Sequence, residues 1–325
     1  MKTLKETGEF ALIETIKKDF AKTCGNRDVT VGIGDDCFCF KAGEKNIVVT
    51  KDMLAQDVHF KKEWISPKDL GRKAIEVNIS DIAAMGAVYP KYVFIGLGAP
   101  ADTPLEYIKR FYIGVKEACK KYGALLCGGD TIKSDKIIIS ATVIGESKIS
   151  ERIIKRAGAK EGDLIGVTNT FGDAGAGVEL LYKYAAKRKF SKTEKYLISK
   201  QNSPQARLKE AFEISKFATS MTDASDGLFI SIAILAKGAD VDLEKIPVSK
   251  HLKKVFPEAK KREELALFGG EDYELVFTVP PKFSKKLKKI IPQISYIGKI
   301  VNSDKARYFQ NGKEQKTVYS GYKHF

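Results

Sequence analysis

The chain has 325 residues, of which 43% are hydrophobic and 30% charged, and 56 Lys and Arg against 41 Asp and Glu give a formal net charge of +15. This composition is that of a globular protein and excludes a disordered or fibrous chain. At roughly 100–200 residues per domain, the length predicts two domains with their own hydrophobic cores.

Strand-like and helix-like stretches alternate along the chain, which predicts an α+β (mixed α/β) fold. Ser66 and Pro67 are typical of a helix start, and Gly123 is typical of a helix end. The strands predicted in the first half cover residues 46–50, 92–97, 124–127 and 136–145, and the helices run from 66 toward 82 and from 102 to 123.

A polar stretch at residues 146–150 separates two such halves, so we predict domains of residues 1–147 and 148–325. The order of strands in the sheets does not follow from the pattern. The strands predicted in the second half cover residues 163–168, 240–243, 273–279 and 296–300, and the helices cover about 206–217 and 283–291.

The cysteines are scattered and include no C-x-x-C pair, which is typical of the reducing cytoplasm. The first residues lack an apolar signal core, and no run reaches the roughly 18 apolar residues of a membrane helix. We therefore expect a cytoplasmic protein that does not contact a membrane. His59, His251 and His324 are too far apart in sequence for a zinc centre, so any metal would bind oxygen ligands.

The positive charge comes mostly from Lys, because only nine of the 56 cations are Arg. Nucleic-acid-binding surfaces tend to rely on Arg, and the lysines here are spread along the chain. Their densest stretch, residues 283–291, has the apolar spacing of an amphipathic surface helix. We expect no nucleic-acid partner, although a positive field would attract nucleotides. Binding that falls steeply with salt and needs no magnesium would favour the nucleic-acid alternative.

Aspartates recur at the predicted ends of elements, beside Gly, Ser or Thr. Asp and Gly also occur in ordinary turns and caps, so each position alone is compatible with a structural role. Clustered carboxylates repel one another unless a cation lies between them, and hard oxygen ligands select magnesium or calcium. Together these segments indicate a metal-phosphate site, and their aspartates are Asp35, Asp36, Asp52, Asp81, Asp130, Asp223 and Asp226.

A glycine-rich turn at residues 171–177 is compatible with phosphate binding through backbone N–H groups and equally with tight packing. It does not match the G-x-x-x-x-G-K-[ST] motif, and residues 32–34 lack the third glycine of a dinucleotide-binding motif. Neither a P-loop enzyme nor a Rossmann dehydrogenase is supported.

A series of short motifs follows in order over nearly the whole chain. They are Gly8-Glu-Phe10, Gly32-Ile-Gly-Asp-Asp36, Asp52-Met53 with Val58-His-Phe60, Asn78-Ile-Ser-Asp-Ile-Ala-Ala-Met-Gly86, Gly128-Gly-Asp-Thr131, Arg156-Ala-Gly-Ala159, Asp223-Ala-Ser-Asp-Gly-Leu228, Gly269-Gly-Glu-Asp-Tyr-Glu-Leu275 and Gly321-Tyr-Lys-His-Phe325. Each motif is modest, but the ordered set is specific. It resembles the thiamine-monophosphate kinases of the aminoimidazole-ribonucleotide-synthetase-like ATP-binding superfamily.

The resemblance implies ATP-dependent phosphorylation of thiamine monophosphate to thiamine diphosphate by direct in-line transfer of the γ-phosphoryl group. It also implies a homodimer in which the N-terminal sheets pair, an N-terminal domain that binds ATP and magnesium, and a C-terminal α/β-type domain. The implied magnesium ligands are Asp36, Thr50, Lys51, Asp52, Asp81, Asp130, Asp223 and Asp226. The implied ATP contacts are Gly129, Asp130, Arg156 and Ser225, and the implied contacts to thiamine monophosphate are His59, Glu271 and Tyr322.

These roles agree with the chemistry of phosphoryl transfer, which depends on positioning and on cancelling charge. Because the acceptor phosphate is already ionised, we expect no covalent nucleophile and no general base. Considered singly, His59, Glu271 and Tyr322 are equally compatible with capping, ion pairing and core packing.

Two positions depart from the family pattern. Lys51 stands where a small hydroxyl residue is usual, and only its backbone carbonyl can bind magnesium. Asp57 stands where the family has a small residue, which affects the expected geometry around His59.

Other superfamily members remain alternatives. A selenophosphate synthetase needs a reactive Cys in a glycine-rich N-terminal loop, which Cys24 lacks. A hydrogenase-maturation dehydratase needs a C-terminal Cys tail, whereas Phe325 ends this sequence. Aminoimidazole ribonucleotide synthetase is the nearest alternative, although residues 58–60 and 269–275 favour the kinase.

Overall fold

The first half of the molecule is one sheet covered by two long helices. The structure, a computed structural model, describes residues 3–20, 27–185 and 187–315. The first-half elements are α1 (Leu4–Thr7), α2 (Glu9–Phe20), β1 (Val29–Val31), β2 (Phe38–Ala42), β3 (Lys45–Ala55), α3 (Pro67–Ala84), β4 (Tyr89–Ala99), α4 (Leu105–Tyr122), β5 (Leu125–Lys133) and β6 (Ile138–Lys148). The strand order in this sheet is β1-β2-β3-β6-β4-β5, so β5 forms an edge.

The helix α3 begins as its sequence predicts. The Ser66 hydroxyl accepts a hydrogen bond from the Asp69 N–H at 3.1 Å, and Pro67 occupies the first turn. α3 crosses α4 closely, because a Cβ at Gly71 would lie 2.0 Å from the Phe111 carbonyl oxygen. At the end of α4, Gly123 adopts the predicted left-handed conformation, with φ of 70°.

The two faces of the first sheet differ. α3 and α4 cover the inner face, where Val48, Val93, Ile95 and Val143 are buried in the core. On the outer face, the exposed side chains include Phe38, Met53, Tyr92, Phe94, Leu125 and Ile132. An exposed apolar face of this size is typical of an interaction surface.

The second half is a seven-stranded sheet with helices on both faces. Its strand order is β13-β12-β9-β11-β7-β10-β8. Its elements are β7 (Leu164–Val167), α5 (Asp173–Tyr184), α6 (Lys192–Asn202), α7 (Leu208–Ile214), β8 (Ser220–Asp223), α8 (Leu228–Leu235), β9 (Ala239–Asp242), α9 (Lys250–Val255), α10 (Ala259–Phe268), β10 (Leu275–Val279), α11 (Pro281–Ile290), β11 (Ser295–Ile300), β12 (Ala306–Gln310) and β13 (Lys313–Gln315).

The predicted α+β architecture is confirmed, with one sheet in each half. The domain boundary at residues 147/148 stays a prediction. Among the described residues, no helix is both long and apolar enough to cross a bilayer.

Two sequence predictions about element ends were wrong. Asp52 does not follow a strand, because β3 pairs with β6 without interruption as far as Ala55. Asp130 also lies within a strand, because β5 continues past Gly129 in parallel pairing with β4. The pattern underestimated both strands because it treated polar and glycine residues as breaks, whereas backbone pairing tolerates them.

Candidate active site

A large cavity of about 1220 Å³ lies between the two halves. Its walls include parts of α2, β1–β3 and α3 of the first half and parts of α5, α6, β8 and α8 of the second. The predicted site residues that line it are Asp36, Thr50, Lys51, Asp52, His59, Asp81, Arg156, Asp223, Ser225, Asp226 and Glu271. Residues almost 240 positions apart in sequence thus share one cavity.

Three predicted metal ligands form a compact cluster in this cavity. A carboxylate oxygen from each of Asp36, Asp81 and Asp223 lies within 4.8 Å of the others. Asp36 precedes β2, Asp81 lies near the end of α3, and Asp223 ends β8. The cluster therefore forms only when both halves pack together.

Hydroxyl groups orient these three carboxylates. Thr50 donates a hydrogen bond to Asp81 at 2.5 Å, Ser80 donates one to Asp223 at 2.6 Å, and Thr222 donates one to Asp36. Since each acidic side chain has its own fixed partner, the cluster is preorganised.

Arg156 closes one side of the cluster. Its guanidinium donates to Asp36 Oδ1 at 2.7 Å, as does the Thr222 hydroxyl at 2.9 Å. Its backbone N–H also points at the Asp35 carboxylate, 3.2 Å from Oδ1. One arginine therefore offsets only part of the acidic charge in this region.

The electrostatics of the cluster favour a bound cation. Burial, followed by the neighbouring charge of Asp36, raises the pKa of Asp223 to about 8. Burial, followed by the charges of Asp52 and Asp223, holds the pKa of Asp81 well above its usual range. Burial also raises the pKa of Asp36, against the opposing effect of Arg156. A divalent cation would remove the repulsion that these shifts report.

The donor set fits magnesium. The cluster offers only carboxylate oxygens, which are the ligands of hard cations. The buried Oδ2 of Asp36 has no hydrogen-bond partner among the described residues, although buried polar atoms are normally paired. An oxygen of this kind beside two other carboxylates is available to a metal ion.

A second acidic group lies next to the first. Burial, followed by the charges of Asp226 and Glu271, raises the pKa of Asp52 to about 6. The Asp52 backbone N–H is held by the Asn78 side chain on α3, at 3.1 Å. The Asp52 carboxylate therefore interacts with both of the other acidic side chains, as expected for groups around a polyphosphate and its metal ions.

The turn that carries Glu271 has an unusual backbone. Gly270, Glu271 and Tyr273 all have positive φ values, of 64°, 58° and 50°. The Tyr273 N–H donates to the Ala224 carbonyl at 3.0 Å, which ties the turn to the loop that bears Ser225. Non-glycine residues in this conformation are strained, and such strain clusters at functional sites.

Lys73 is a functional candidate that the sequence analysis missed. It is only 1% exposed, forms an ion pair with Glu271, and donates to the Gln201 carbonyl at 3.0 Å. The only sequence signal was a lysine between the apolar positions Leu70 and Val77 of a helix. The sequence analysis also missed the supporting roles of Asn78, Ser80 and Thr222, because the sequence around a small polar residue does not indicate which group it will contact.

The two departures from the family pattern have different structural outcomes. Lys51 directs its ammonium group away from the aspartate cluster, to the Ser140 hydroxyl at 2.6 Å on the outer face of the sheet.

Asp57, the second departure, has a φ of 67° and pairs with Lys136 at 3.0 Å. Since Asp tolerates left-handed backbone better than most residues, it can replace a small residue here. Nearby, the His59 ring nitrogen Nδ1 accepts from the Ala55 N–H at 3.1 Å, which fixes the ring.

Two of the predicted site residues that the structure describes do not join the others. Gly129 and Asp130 lie on the edge strand β5 and do not line the cavity. Two strands, β6 and β4, separate β5 from β3, so Asp130 lies roughly 14 Å from Asp52 across the sheet. Tyr322 lies outside the described residues.

The glycine-rich turn at residues 171–177 packs tightly. Gly175 and Gly177 lie inside α5, where a Cβ would come within 2.7 Å of Gly269 and 2.5 Å of the Leu197 carbonyl oxygen. The N-terminus of α5 is held by Asp272, which accepts from the Gly172 and Ala174 N–H groups. Of the two alternatives, the structure supports packing.

Comparison with known proteins agrees with this architecture. The model of the AIR synthase related protein N-terminal domain matches residues 34–147, and that of the C-terminal domain matches residues 160–310. The thiamine-monophosphate kinase of Aquifex aeolicus is 38% identical over 99% of both chains. That of Bacillus subtilis is 35% identical over 98% of this chain and 99% of the relative.

A solved structure of AaThiL complexed with AMPPCP and TMP has a TM-score of 0.88 and 36% identity, covering 100% of this chain and 99% of that one. Sequence and structure thus agree over the full length. The chain belongs to the thiamine-monophosphate kinase family and is an enzyme of the kinase class.

Proposed function

We propose that this enzyme transfers the γ-phosphoryl group of ATP to the phosphate of thiamine monophosphate, giving thiamine diphosphate and ADP. The observation that carries the proposal is the cluster of Asp36, Asp81 and Asp223 in a cavity shared by both halves. The family relationship and the AaThiL complex with AMPPCP and TMP support the choice of substrates.

In this proposal Asp36, Asp81 and Asp223 hold magnesium, and Asp52 and Asp226 hold further ions, with oxygens of Thr50 and the Lys51 carbonyl available beside them. Magnesium held by these residues would supply positive charge that offsets the negative charge developing on the transferred group.

The chain's own residues position the two substrates. Arg156 and Ser225 line the cavity beside the aspartates, where they would contact ATP. Glu271, held by Lys73, and the oriented His59 ring lie where thiamine monophosphate would bind. The acceptor phosphate oxygen is already ionised and attacks without losing a proton, so the protein aligns it and excludes water.

We also propose a homodimer formed through the N-terminal sheets. All nine residues of the edge strand β5 are exposed, and the outer face of the sheet carries exposed Phe94 and Tyr92. In a dimer in which β5 lies along the partner's β1–β2 edge, Gly129 and Asp130 would approach the partner's cavity. This arrangement accounts for their distance from the cavity of their own chain.

The test is ADP release by the purified enzyme with ATP and magnesium, with thiamine monophosphate, free thiamine or formylglycinamidine ribonucleotide as the second substrate. Turnover with thiamine monophosphate alone is the expected result. Turnover with the ribonucleotide alone would assign the chain to aminoimidazole ribonucleotide synthesis and overturn the roles of His59 and Glu271.

A further inference from the structure

One wall of the cavity is aromatic instead of acidic. The rings of Trp64 and Tyr182 meet edge to face, with centroids 4.6 Å apart. The Lys61 ammonium lies 4.6 Å from the Trp64 ring centre and 4.8 Å from that of Tyr182. All three residues line the cavity. A positive charge thus already contacts two aromatic rings at this wall, in the geometry of a cation–π interaction.

The aromatic wall is connected to the Glu271 contact through the end of α6. The Asn202 side chain donates to the Trp64 carbonyl at 2.6 Å. The preceding residue, Gln201, accepts through its carbonyl from Lys73, the ion-pair partner of Glu271. Two adjacent residues therefore position the aromatic wall and the Lys73–Glu271 pair relative to each other.

The contact between Lys61 and the rings is local and weakly held. The backbone N–H of Trp64 donates to the Lys61 carbonyl at 2.9 Å, so a tight turn brings the Lys61 side chain over the indole ring. Among the described residues, Lys61 forms no salt bridge, unlike Lys73 in the same cavity. A flexible side chain without an acidic partner can leave when a better cation arrives.

We propose that Trp64 and Tyr182 form the subsite for the positively charged thiazolium ring of thiamine monophosphate, and that Lys61 occupies this subsite until the substrate displaces it. The inference rests on the proposed function and specifies where the cationic end of the substrate binds. The phosphate end then extends toward the aspartate cluster. A cation over aromatic rings contributes roughly three- to thirtyfold in affinity.

The first test uses the native protein, because Trp64 is its only tryptophan. Titration with thiamine monophosphate should change the tryptophan fluorescence saturably, with a midpoint near the KM for this substrate. Inorganic phosphate and magnesium-ATP should leave the emission unchanged. An emission that stays constant at concentrations of thiamine monophosphate that saturate turnover would overturn the proposal.

The second test separates charge from packing. The protein is assayed with thiamine monophosphate and with a neutral analogue in which a thiophene ring replaces the thiazolium. Trp64→Leu should weaken binding of the charged substrate by roughly tenfold and that of the neutral analogue much less, with the KM for ATP unchanged. Equal losses for both ligands would show that the ring only packs against the substrate.

Removal of the competing lysine should act in the opposite direction. Lys61→Met should tighten binding of thiamine monophosphate severalfold, and should have no effect in the Trp64→Leu background. The matched control is Lys62→Met, since Lys62 lies 5.6 Å from the ring of Tyr107 and neither residue lines the cavity. Binding that is weaker, or unchanged, in Lys61→Met would overturn the displacement.

These results are distinguishable from a failure of the proposed function. If wild-type protein does not phosphorylate thiamine monophosphate, the function is wrong. If it does and the Trp64 and Lys61 variants behave like Lys62→Met, only the subsite is wrong.

Discussion

The hydroxyl of Ser80, on the helix that packs under the first sheet, donates a hydrogen bond of 2.6 Å to Asp223, at the end of a strand in the second sheet. Both side chains are buried. A helix of one half therefore sets the orientation of a proposed metal ligand in the other.

Asp223→Asn should lower turnover by roughly a hundredfold or more, since it removes a charged ligand that offsets the metal ions. The protein should stay folded by circular dichroism, because the substitution relieves repulsion in the cluster. Steady-state ADP release is the measurement. The control is Asp135→Asn at the exposed β5–β6 turn, which should behave as wild type. Near-normal turnover in Asp223→Asn would contradict the metal assignment.

Without magnesium, stability should fall as the pH rises. The pKa of Asp52 is raised to about 6 and that of Asp223 to about 8, from an ordinary aspartate value of 3.8. Between about pH 4 and pH 8 the folded state therefore binds more protons than the unfolded state, and stability decreases with pH until these groups are ionised.

This pH dependence can be measured as urea midpoints across a pH series, in EDTA and in magnesium. Magnesium should flatten the profile because it replaces the protons, and Asp223→Asn should reduce the slope in EDTA. A stability that increases from pH 5 to pH 8 in EDTA would contradict the electrostatic account of the cluster.

Lys73→Met should destabilise the protein by about 3 kcal/mol, because it leaves the Glu271 carboxylate without its buried partner. The matched control is Lys68→Met on the same helix, whose ion pair with Glu117 is exposed and contributes below about 1 kcal/mol. Urea unfolding measures both variants. Equal effects would mean that the Lys73–Glu271 pair has no special role.

Lys51→Thr should leave the magnesium requirement within about twofold of wild type, since the ammonium group donates to Ser140 and a lysine offers a metal ion only its backbone carbonyl, which the substitution retains. Magnesium titration of turnover measures this, and Asp52→Asn provides the contrasting variant. A large loss of ATP binding in Lys51→Thr, seen by titration calorimetry, would show that the lysine contacts the nucleotide directly.

The dimer can be tested by complementation. Asp130→Asn and Asp223→Asn should each be inactive alone. If Asp130 acts in the partner's cavity, reassociation of equal amounts should restore about a quarter of the wild-type activity, since half of the dimers are mixed and each has one intact site. No recovery, with mixed dimers verified by differently tagged subunits, would contradict a role of Asp130 in the partner's cavity.

Much of this architecture could be predicted from local patterns. The signals at Ser66 and Gly123 were sufficient to predict where α3 begins and where α4 ends, because helix caps depend only on residues close in sequence. The aspartates were identified as candidate ligands because a carboxylate beside Gly, Ser or Thr is visible in the local sequence, whatever the order of the strands in the sheet. The fold class and the family follow from the same short motifs.

What could not be predicted depends on contacts across long sequence separations. The pairing of Lys73 with Glu271 joins residues 198 positions apart, and no local pattern reports it. The position of Asp130 away from the cavity depends on the strand order, which the sequence does not reveal. The strained turn at Glu271 is likewise held by the loop at Ala224.

The contacts of α3 have a consequence for how the enzyme can be divided. This helix packs into the core of one half, while Lys73 and Ser80 bind groups of the other. If the chain were cut near residue 150, each of the two fragments would retain one sheet. Each would lose the residues that the other half contributes to the aspartate cluster and to the Lys73–Glu271 pair. Magnesium and nucleotide should therefore stabilise only the intact chain, and ligand-induced protection from proteolysis should extend to both halves at once.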